Sequence, residues 1–266
     1  MSNIGEDFLA KDILEQWNFE VTSLPTSHLK KQSDYLVTVD GLRFLIEEKT
    51  KFDDPKREVS RDEKLANGNI HLESIPLVLN NGHSKKITEA VSQLASSSKL
   101  SHEFRIVWFN AQGRNPEAKY NQFIATLYGT TNISELNSPH YRRCYFFRNS
   151  EFYRHRAILD GAVVTYQDGD SIKMRFCLNS LSERYNYLRD TLFTRTFAQA
   201  VEDPLKAEEN GTAFVLDGDI DRNDERELLS YLEQKYHTLP LMKIDLGYTS
   251  VSTIAPASIL SMVNKQ

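Results

Sequence analysis

The sequence predicts an α/β fold, with a core of helices and strands in the order αβββαβ followed by a C-terminal α+β domain. Two β-rich segments meet at Asp40-Gly41, a dipeptide typical of a two-residue hairpin turn because glycine tolerates positive φ. Apolar residues recur at helical spacing before this hairpin and again after it. An apolar run over 104–109 is typical of a central strand. Together these observations indicate the α/β class.

The first predicted element is a helix over residues 5–17, and a short strand over 19–23 follows it. Four helix residues fall on one stripe at helical spacing: Glu6, Ala10, Ile13 and Trp17. Glu6 is therefore expected to point inward along the buried face of the helix. The alternative is that Glu6 is an acid placed favourably near a helix N-terminus.

The predicted hairpin covers residues 33–50, and its turn sets the register of the two strands. Val39 then pairs with Leu42, and by the same count Asp34 stands opposite Glu47. Two carboxylates in cross-strand register lie about 4.5–5.5 Å apart at Cβ and repel each other unless a positive charge lies between them. A divalent metal ion would remove this repulsion. The alternative is a hydrated polar face with a lysine nearby.

The two faces of this hairpin differ in character. One face is apolar and is expected to be buried: Tyr35, Val37, Val39, Leu42, Phe44 and Ile46. The other face carries polar side chains, with Leu36 and Leu45 between them: Asp34, Thr38, Arg43, Glu47 and Lys49. Candidate site residues therefore lie on the second face.

The second part of the predicted core is a helix and a strand. Apolar residues at helical spacing predict a helix over 86–97, and the apolar run over 104–109 follows it as a strand. A further helix is predicted over 116–127.

Asp34 at the start of one strand and Glu47-Glu48-Lys49 at the end of the next resemble the PD-(D/E)xK phosphodiesterase superfamily, the restriction-endonuclease-like nucleases. Members of this superfamily place an acid at the first position and an acid-x-Lys motif at the second. The proline that often precedes the first acid is Ser33 in this chain. The chain is also similar to a bacterial branch of these nuclease-like proteins.

The resemblance extends beyond the hairpin, over residues 5–127. Many members add a glutamate on the first helix, and Glu6 matches it here, with Asp7 as a weaker candidate. Gln93, on the helix over 86–97, resembles a polar residue that several branches aim at the active site. The alternative for Gln93 is an exposed helix glutamine.

The resemblance implies a Mg²⁺-dependent DNA endonuclease that acts in restriction, repair or phage defence. Asp34, Glu47 and the backbone carbonyl of Glu48 would hold Mg²⁺, for which Mn²⁺ can substitute, and Glu6 would bind a second metal or a metal-bound water. Lys49 would lie beside the attacking water and stabilise the charged transition state. By strand alternation, the side chain of Glu48 points to the apolar side. The alternative function is a nuclease-like module that binds nucleic acid or a protein partner without cleaving it.

A segment rich in arginine and aromatic residues lies at 140–160. Arg148, Arg154 and Arg156 are predicted to contact nucleic acid, because arginine binds phosphate bidentately and aromatic rings stack on unpaired bases. The alternative is a strand pair with aromatic core residues and a solvated arginine face. Residues 201–235 contain eleven acids against four lysines or arginines, so this stretch is expected to face away from nucleic acid.

Three aspartates alternate within the acidic stretch: Asp217, Asp219 and Asp221. They do not match a calcium loop, because an EF-hand needs glycine at position six and a bidentate acid at position twelve, where this chain has Arg222 and Leu228. Asp221 or Asn223 is instead expected to cap a helix that runs to about Tyr236.

The composition limits the classes of protein that fit. With 266 residues and 40% hydrophobic residues, the chain can bury one large or two modest cores. The net charge of −5 means that DNA contact would depend on how lysines and arginines are distributed. No stretch approaches a membrane span and the first residues lack a signal-peptide pattern, so we expect a cytoplasmic protein without membrane contact. Cys144 and Cys177 lack partners at metal-ligand spacing and are expected to be buried thiols.

Two domains are predicted. Residues 1–138 form the nuclease-like domain, and residues 139–266 form an α+β domain that serves substrate selection, dimerisation as a homodimer, or both. Residues 51–85 are predicted to be a mobile insertion that closes over substrate, and the alternative is an inert solvated excursion. His71 and His83, within this insertion, are expected to be surface groups. Strands are predicted in the second domain at 143–147, 162–167, 171–179 and 242–254, and helices at 181–200 and 224–236.

Overall fold

The computed structural model describes residues 10–25, 32–97 and 99–256, which form a mixed α/β protein built on a large mixed sheet. In chain order the helices are Ala10–Gln16 (α1), Pro55–Ala66 (α2), Asn81–Ser96 (α3), Pro116–Tyr128 (α4), Glu151–Arg154 (α5), Tyr185–Arg189 (α6), Leu192–Thr196 (α7), Pro204–Glu209 (α8) and Glu225–Tyr236 (α9). A short 3₁₀ helix covers Ala198–Ala200.

The strands, in chain order, are Glu20–Ser23 (β1), Tyr35–Val39 (β2), Leu42–Lys51 (β3), His71–Pro76 (β4), Phe104–Ala111 (β5), Thr131–Glu135 (β6), Tyr141–Tyr145 (β7), Gly161–Asp168 (β8), Ser171–Leu178 (β9), Val201–Glu202 (β10), Ala213–Val215 (β11), Leu241–Ile244 (β12) and Thr249–Ile254 (β13). The large sheet has the order β1-β2-β3-β5-β8-β9-β10. Strands β3, β5 and β8 run parallel to one another, whereas β1, β2 and β3 form an antiparallel meander.

Helices cover both faces of the large sheet. On one face, α3 and α4 pack through a cluster that includes Leu45, Ile87 and Phe123. On the other face, α1 and α7 pack through a second cluster that includes Leu14 and Phe193. A smaller sheet of order β11-β7-β6-β12 packs against α9 through a third cluster. The candidate site therefore lies on a sheet that is buried on both sides.

The predicted hairpin register is confirmed. Val39 pairs with Leu42, and the ladder continues along β2 and β3. Asp40 and Gly41 have φ values of 51° and 75°, which are the two positive φ angles that a type I′ turn requires. The turn chemistry thus sets which side chains of β3 share a face with Asp34.

The second face of the hairpin is more deeply buried than its polar side chains suggest. Leu45 and Glu47 are fully buried on this face, because α3 packs against β3. This arrangement differs from the alternative of a hydrated polar face. A helix that packs from a distant part of the chain cannot be read from the alternation of the strand alone.

Other predicted elements are present with shifted boundaries. The helix predicted over 116–127 is α4, and the two strands predicted around 168–170 are β8 and β9. The helix predicted over 181–200 is instead divided into α6, α7 and the short 3₁₀ helix. Thr191, between α6 and α7, caps α7 by accepting a hydrogen bond from Thr194 N.

The predicted insertion at 51–85 contains regular structure. Asp54 caps α2 by accepting a hydrogen bond from Lys56 N, and Pro55 occupies the first helical turn. Strand β4 then pairs antiparallel with β13 along its whole length. His83 was expected at the surface but is buried between the rings of Phe109 and Phe123, so that expectation is wrong.

The large sheet crosses the predicted domain boundary at 138/139. Strands β8, β9 and β10 follow this boundary in sequence, and β8 pairs with β5 in the centre of the sheet. The boundary itself lies between β6 and β7, which pair with each other. The two predicted domains thus share one sheet.

The alternating aspartates Asp217, Asp219 and Asp221 lie between β11 and α9. Asp224, rather than Asp221 or Asn223, caps this helix by accepting hydrogen bonds from Arg226 N and Glu227 N. The helix ends at Tyr236, as predicted. Both cysteines are buried and free, also as predicted. Among the described residues, no helix has the length and apolar character needed to cross a membrane.

Candidate active site

Asp34 lies immediately before β2 and is held against the end of β3. Its backbone N–H donates to the carbonyl of Ile46 at 3.1 Å, and its Oδ2 accepts a hydrogen bond of 2.8 Å from the backbone N–H of Glu48. These two bonds continue the hairpin pairing by one position. They place the Asp34 carboxylate beside Glu47, as the register predicts.

Glu47 is a fully buried carboxylate with one oxygen that lacks a partner. Its Oε1 accepts a hydrogen bond from Lys49 Nζ, whereas its Oε2 is buried and accepts no hydrogen bond among the described residues. Burial raises the pKa of Glu47 from 4.5 to about 8, although Lys49 opposes this rise, and the negative charge of Asp34 adds to it. A buried carboxylate oxygen without a protein partner is a place where an ion or a water can bind.

The donor atoms present at this position fit a divalent cation. Asp34 and Glu47 supply carboxylate oxygens, the ligand type that Mg²⁺ prefers, and Mg²⁺ is held by one or two carboxylates while it keeps several waters. A cation there would also offset the negative charge of Asp34, which adds to the effect of burial on the pKa of Glu47. Within the described ranges, no group of three or more His, Cys, Asp or Glu side chains is arranged to hold a metal ion. Glu6, the predicted further ligand, lies outside the described residues.

Lys49 joins β3 to α3 through Gln93. Its Nζ donates to Glu47 Oε1 and, at 2.7 Å, to Gln93 Oε1. Gln93 Nε2 in turn donates to the backbone carbonyl of Gln32 at 3.4 Å. Gln93 is therefore directed at the candidate site and is not an exposed helix glutamine. The structure brings Asp34, Glu47, Lys49 and Gln93 together.

Glu48 points to the opposite face of the sheet, as strand alternation predicts. Its Oε1 accepts hydrogen bonds from Ala10 N at 2.9 Å and from Asn110 Nδ2, and its Oε2 accepts one of 3.0 Å from the Tyr35 hydroxyl. Burial raises the pKa of this carboxyl, while these three donors lower it. The side chain thus ties α1 to β2, β3 and β5. Only the backbone of Glu48 remains on the side of Asp34.

Asn110 supports this arrangement and was not identified from the sequence. Its side chain donates to Glu48 and accepts from Trp108 Nε1 at 3.2 Å and from the Thr165 hydroxyl. The only signal in the sequence was a polar residue directly after the apolar run of β5. A buried asparagine at a strand end has no local pattern that separates it from a turn residue.

Positive charge gathers near the end of β3. Burial lowers the pKa of Lys86, and the charges of Lys51 and Lys49 lower it further, although Glu89 opposes them. Burial also lowers the pKa of His83 to about 4, with Lys51 as the next cause. Lys51 and Lys86 were not singled out from the sequence, because they come from β3 and α3 and meet Lys49 only in the fold. They give the edge of the site a charge that attracts phosphate.

The predicted nucleic-acid arginines lie elsewhere and are paired with acids. Arg148 contacts Glu225 at 3.6 Å, Arg154 contacts Glu151 at 2.6 Å, and Arg156 contacts Asp219 at 3.5 Å. Each arginine side chain is still at least 39% exposed. Asp219 and Glu225 belong to the acidic stretch 201–235, which was expected to face away from nucleic acid. This stretch lies beside the arginine segment because β11 pairs with β7.

Most aromatic residues of this segment belong to the core. The buried ones are Tyr145, Phe146, Phe147 and Phe152. Buried rings cannot stack on bases, so the aromatic part of the predicted contact follows the alternative interpretation, in which these residues form a core. Tyr141 remains 48% exposed.

The raised pKa of Glu47 predicts a pH-dependent stability of the metal-free protein. The folded protein keeps the Glu47 proton up to about pH 8, whereas the unfolded chain releases it near 4.5. The unfolded state therefore binds fewer protons in this window, and rising pH favours unfolding. In EDTA, the stability of wild type relative to Glu47→Gln should fall between these two pH values, by up to about 1.4 kcal/mol per pH unit, and then level off. Urea denaturation from pH 5 to pH 9 measures this difference, and a difference that does not change with pH would show that Glu47 is ionised throughout.

The site is carried by a mixed α/β fold in which helices cover both faces of the large sheet. Its function is inferred from the geometry around Asp34, Glu47 and Lys49. Comparison of the chain with protein-family models, with curated proteins and with solved structures found no match.

Proposed function

We propose that this protein is a metal-dependent endonuclease that hydrolyses phosphodiester bonds in DNA. The observation that carries the proposal is the buried carboxylate of Glu47, which has one unpartnered oxygen beside Asp34 and a lysine on its other oxygen. Such an arrangement suits a cation at the carboxylate oxygens and a phosphate group beside the lysine. Restriction, repair or phage defence are the processes in which this activity would serve.

The order of the elements supports a restriction-endonuclease-like core. Helix α1, the strands β1, β2 and β3, helix α3 and strand β5 follow one another as αβββαβ, with α2 and β4 inserted after β3. The four strands are contiguous in the large sheet. The predicted acid and acid-x-Lys motif lie at the adjacent ends of β2 and β3.

The metal would be held by the oxygen atoms at this end of the hairpin. Asp34, Glu47 and the backbone carbonyl of Glu48 are the proposed ligands of Mg²⁺ or Mn²⁺, and Glu6 is the proposed ligand of a second ion. When bound, the metal would supply charge neutralisation at the phosphate and a lower pKa for a coordinated water. The chain contributes a rigid position for each ligand, since Glu48 N fixes Asp34 and Lys49 fixes Glu47.

Lys49 is the proposed catalytic cation. Its ammonium group has three N–H donors, of which Glu47 and Gln93 use two. The third donor has no acceptor among the residues that the structure describes, and it can reach a phosphate oxygen or the attacking water. Because the negative charge on the phosphate grows toward the transition state, this hydrogen bond would be stronger there than in the ground state. Gln93 positions the lysine and does not itself contact the reacting atoms.

The distribution of charge supports an anionic substrate despite the net charge of −5. Lys49, Lys51 and Lys86 lie near one another at the end of β3, so a phosphate backbone would meet positive charge beside the carboxylates. Non-specific affinity for nucleic acid comes mainly from such contacts. We therefore place the DNA across this edge of the large sheet.

A module that binds nucleic acid without cleaving it is the second candidate. The observation that favours it is that Lys49 already compensates Glu47 in the structure, so the site reaches partial neutrality without a metal ion. In that case Lys49 would serve as a phosphate contact only. Binding and cleavage measured on the same DNA separate the two functions.

Metal binding at Glu47 tests the proposal directly. Calorimetric titration with Mn²⁺ at pH 8 should show a saturable site in the wild type that Glu47→Gln removes. Asp40→Asn is the matched control, because it removes one negative charge from the turn of the same hairpin and asparagine tolerates positive φ there. Equal Mn²⁺ affinity in wild type and Glu47→Gln would contradict the proposed ligand.

The arginine segment gives a separate prediction about DNA binding. If Arg154 and Arg156 contact phosphates, changing both to Gln should reduce the slope of log affinity against log salt by at most about two, because roughly one counterion is released per neutralised phosphate. We expect a smaller reduction, since Glu151 and Asp219 already offset part of each charge. A titration of metal-free protein with DNA at several salt concentrations measures the slope. An unchanged slope would remove these arginines from the binding surface.

A further inference from the structure

A cavity of about 730 Å³ lies at the β10 edge of the large sheet, between β9, β10, α7 and α8. We propose that this cavity binds a small phosphate-bearing molecule of nucleotide size. Five basic side chains line it: Arg143, Arg175, Arg189, Arg195 and Lys206. Three carboxylates line it as well: Asp190, Glu202 and Asp203. The lining thus has an excess of two positive charges, and the volume lies in the usual range for a small-molecule site.

Glu202 is fully engaged by the protein. It is buried, its Oε1 accepts hydrogen bonds from Arg143 at 3.2 Å and from the Tyr145 hydroxyl at 3.1 Å, and its Oε2 accepts one from Arg175 at 2.8 Å. This carboxylate holds the two guanidinium groups at the cavity wall. The side chains of Arg143 and Arg175 nevertheless remain 52% and 44% exposed. Because a guanidinium has five N–H donors, both keep donors that can reach a ligand.

Asp203 is engaged in the same way. Its Oδ1 accepts from the Tyr185 hydroxyl at 2.6 Å and from Leu205 N at 3.1 Å, and its Oδ2 pairs with Arg189 at 3.2 Å. The carboxylate therefore serves to position α8 and Arg189. Two of the three acids are thus occupied by structural bonds, and only Asp190 is exposed.

Two of the basic side chains have no acid partner among the residues that the structure describes. No carboxylate of residues 10–25, 32–97 or 99–256 forms an ion pair with Arg195 or Lys206, and both residues are exposed. Together with Arg143 and Arg175, they surround the cavity with cations from β7, β9, α7 and α8. Arginine forks of this kind match the geometry of phosphate oxygens.

The cavity is separate from the candidate active site. Asp34 precedes β2, whereas the cavity lies at β10, and five strand-to-strand steps separate these two strands in the sheet order β2-β3-β5-β8-β9-β10. At 4.8 Å per step this corresponds to roughly 24 Å. Ligand binding here therefore does not depend on the proposed nuclease function.

Pyrophosphate and ATP are suitable probes, used in EDTA so that no metal bridges a phosphate to Asp34 and Glu47. Calorimetry should show saturable binding of at least one probe with a Kd of about 1 mM or below. The double variant Arg195→Gln/Lys206→Gln should weaken that binding by roughly tenfold or more. Both side chains are exposed, so the thermal midpoint of this variant should equal that of wild type.

Lys173→Gln is the matched control, because Lys173 lies on β9, is exposed and does not line the cavity. It should leave probe binding within about twofold of wild type. Absence of saturable binding, or equal weakening by the double variant and the control, would overturn the proposal. Binding of a single-stranded oligonucleotide in place of both probes, with the same dependence on Arg195 and Lys206, would also overturn it and assign the surface to nucleic acid. Repeating the titration with Glu47→Gln keeps the result independent of cleavage.

Discussion

Glu47→Ala and Asp34→Ala are each expected to abolish metal-dependent DNA cleavage, with a loss of roughly a thousandfold or more in rate. Each substitution removes one of two carboxylate side chains that the described structure places at the proposed metal site. The unpartnered Oε2 of Glu47 makes this residue the more sensitive of the two. Single-turnover cleavage of labelled DNA in Mg²⁺ measures the effect. Cleavage by either variant at the wild-type rate would show that the site is assigned wrongly.

The stability of these variants separates a loss of chemistry from a loss of fold. Removal of one of two adjacent acids relieves repulsion, so the metal-free Glu47→Gln variant should be at least as stable as wild type at pH 8. Asp34→Ala also loses the hydrogen bond from Glu48 N and should cost about 1 kcal/mol. Asp34→Asn keeps an oxygen that can accept this hydrogen bond. It is therefore better suited than Asp34→Ala for testing the role of the Asp34 charge in cleavage. Urea denaturation in EDTA gives these free energies of unfolding.

Lys49→Ala is expected to lower the cleavage rate by roughly 10²- to 10⁴-fold while Mn²⁺ affinity stays the same or rises. A protonated lysine offers no lone pair to a cation, so its contribution belongs to the reaction and not to metal binding. Loss of Lys49 also removes the one ion pair that Glu47 forms within the described part of the chain, which favours binding of a cation.

Lys49→Arg is the matched variant for this second prediction. It keeps the positive charge but changes the distance to Gln93 and to the substrate, so it should recover only part of the lost rate. Single-turnover kinetics and Mn²⁺ calorimetry on the same preparations provide both readouts. Loss of Mn²⁺ binding in Lys49→Ala would contradict the role of Lys49 in the transition state.

The hairpin was predictable because its information is local. Asp40-Gly41 sets the turn, the turn sets the register, and the register places Asp34 beside Glu47. Gln93 was predicted from the family resemblance and from its helix, and the structure directs it at Lys49.

Long-range packing was not predictable in the same way. The burial of Glu47 depends on α3, and the hydrogen bonds of Glu48 depend on Asn110 of β5 and on α1. Alternation within one strand reports which residues share a face, but it does not report which helix covers that face. The raised pKa of Glu47 could therefore be seen only in the fold.

The later part of the chain shows a similar limit. The arginine and aromatic pattern of 140–160 fitted both a nucleic-acid contact and a core strand, and most of its aromatic residues proved to be core. Strand β8 joins the centre of the large sheet by parallel pairing with β5, which is distant in sequence. Parallel neighbours are joined by long crossovers, so no local turn signal identifies them.

The most direct test of the proposed nuclease function is a cleavage assay on linear, supercoiled, single-stranded and branched DNA, with RNA as a further substrate. Wild type and Glu47→Gln are purified in parallel and incubated with Mg²⁺, with Mn²⁺ or with EDTA. We expect wild type to cut at least one DNA substrate in Mg²⁺ or Mn²⁺, and we expect no cleavage in EDTA or by Glu47→Gln. DNA binding without cleavage by wild type in any metal would contradict the nuclease and favour the non-cleaving module.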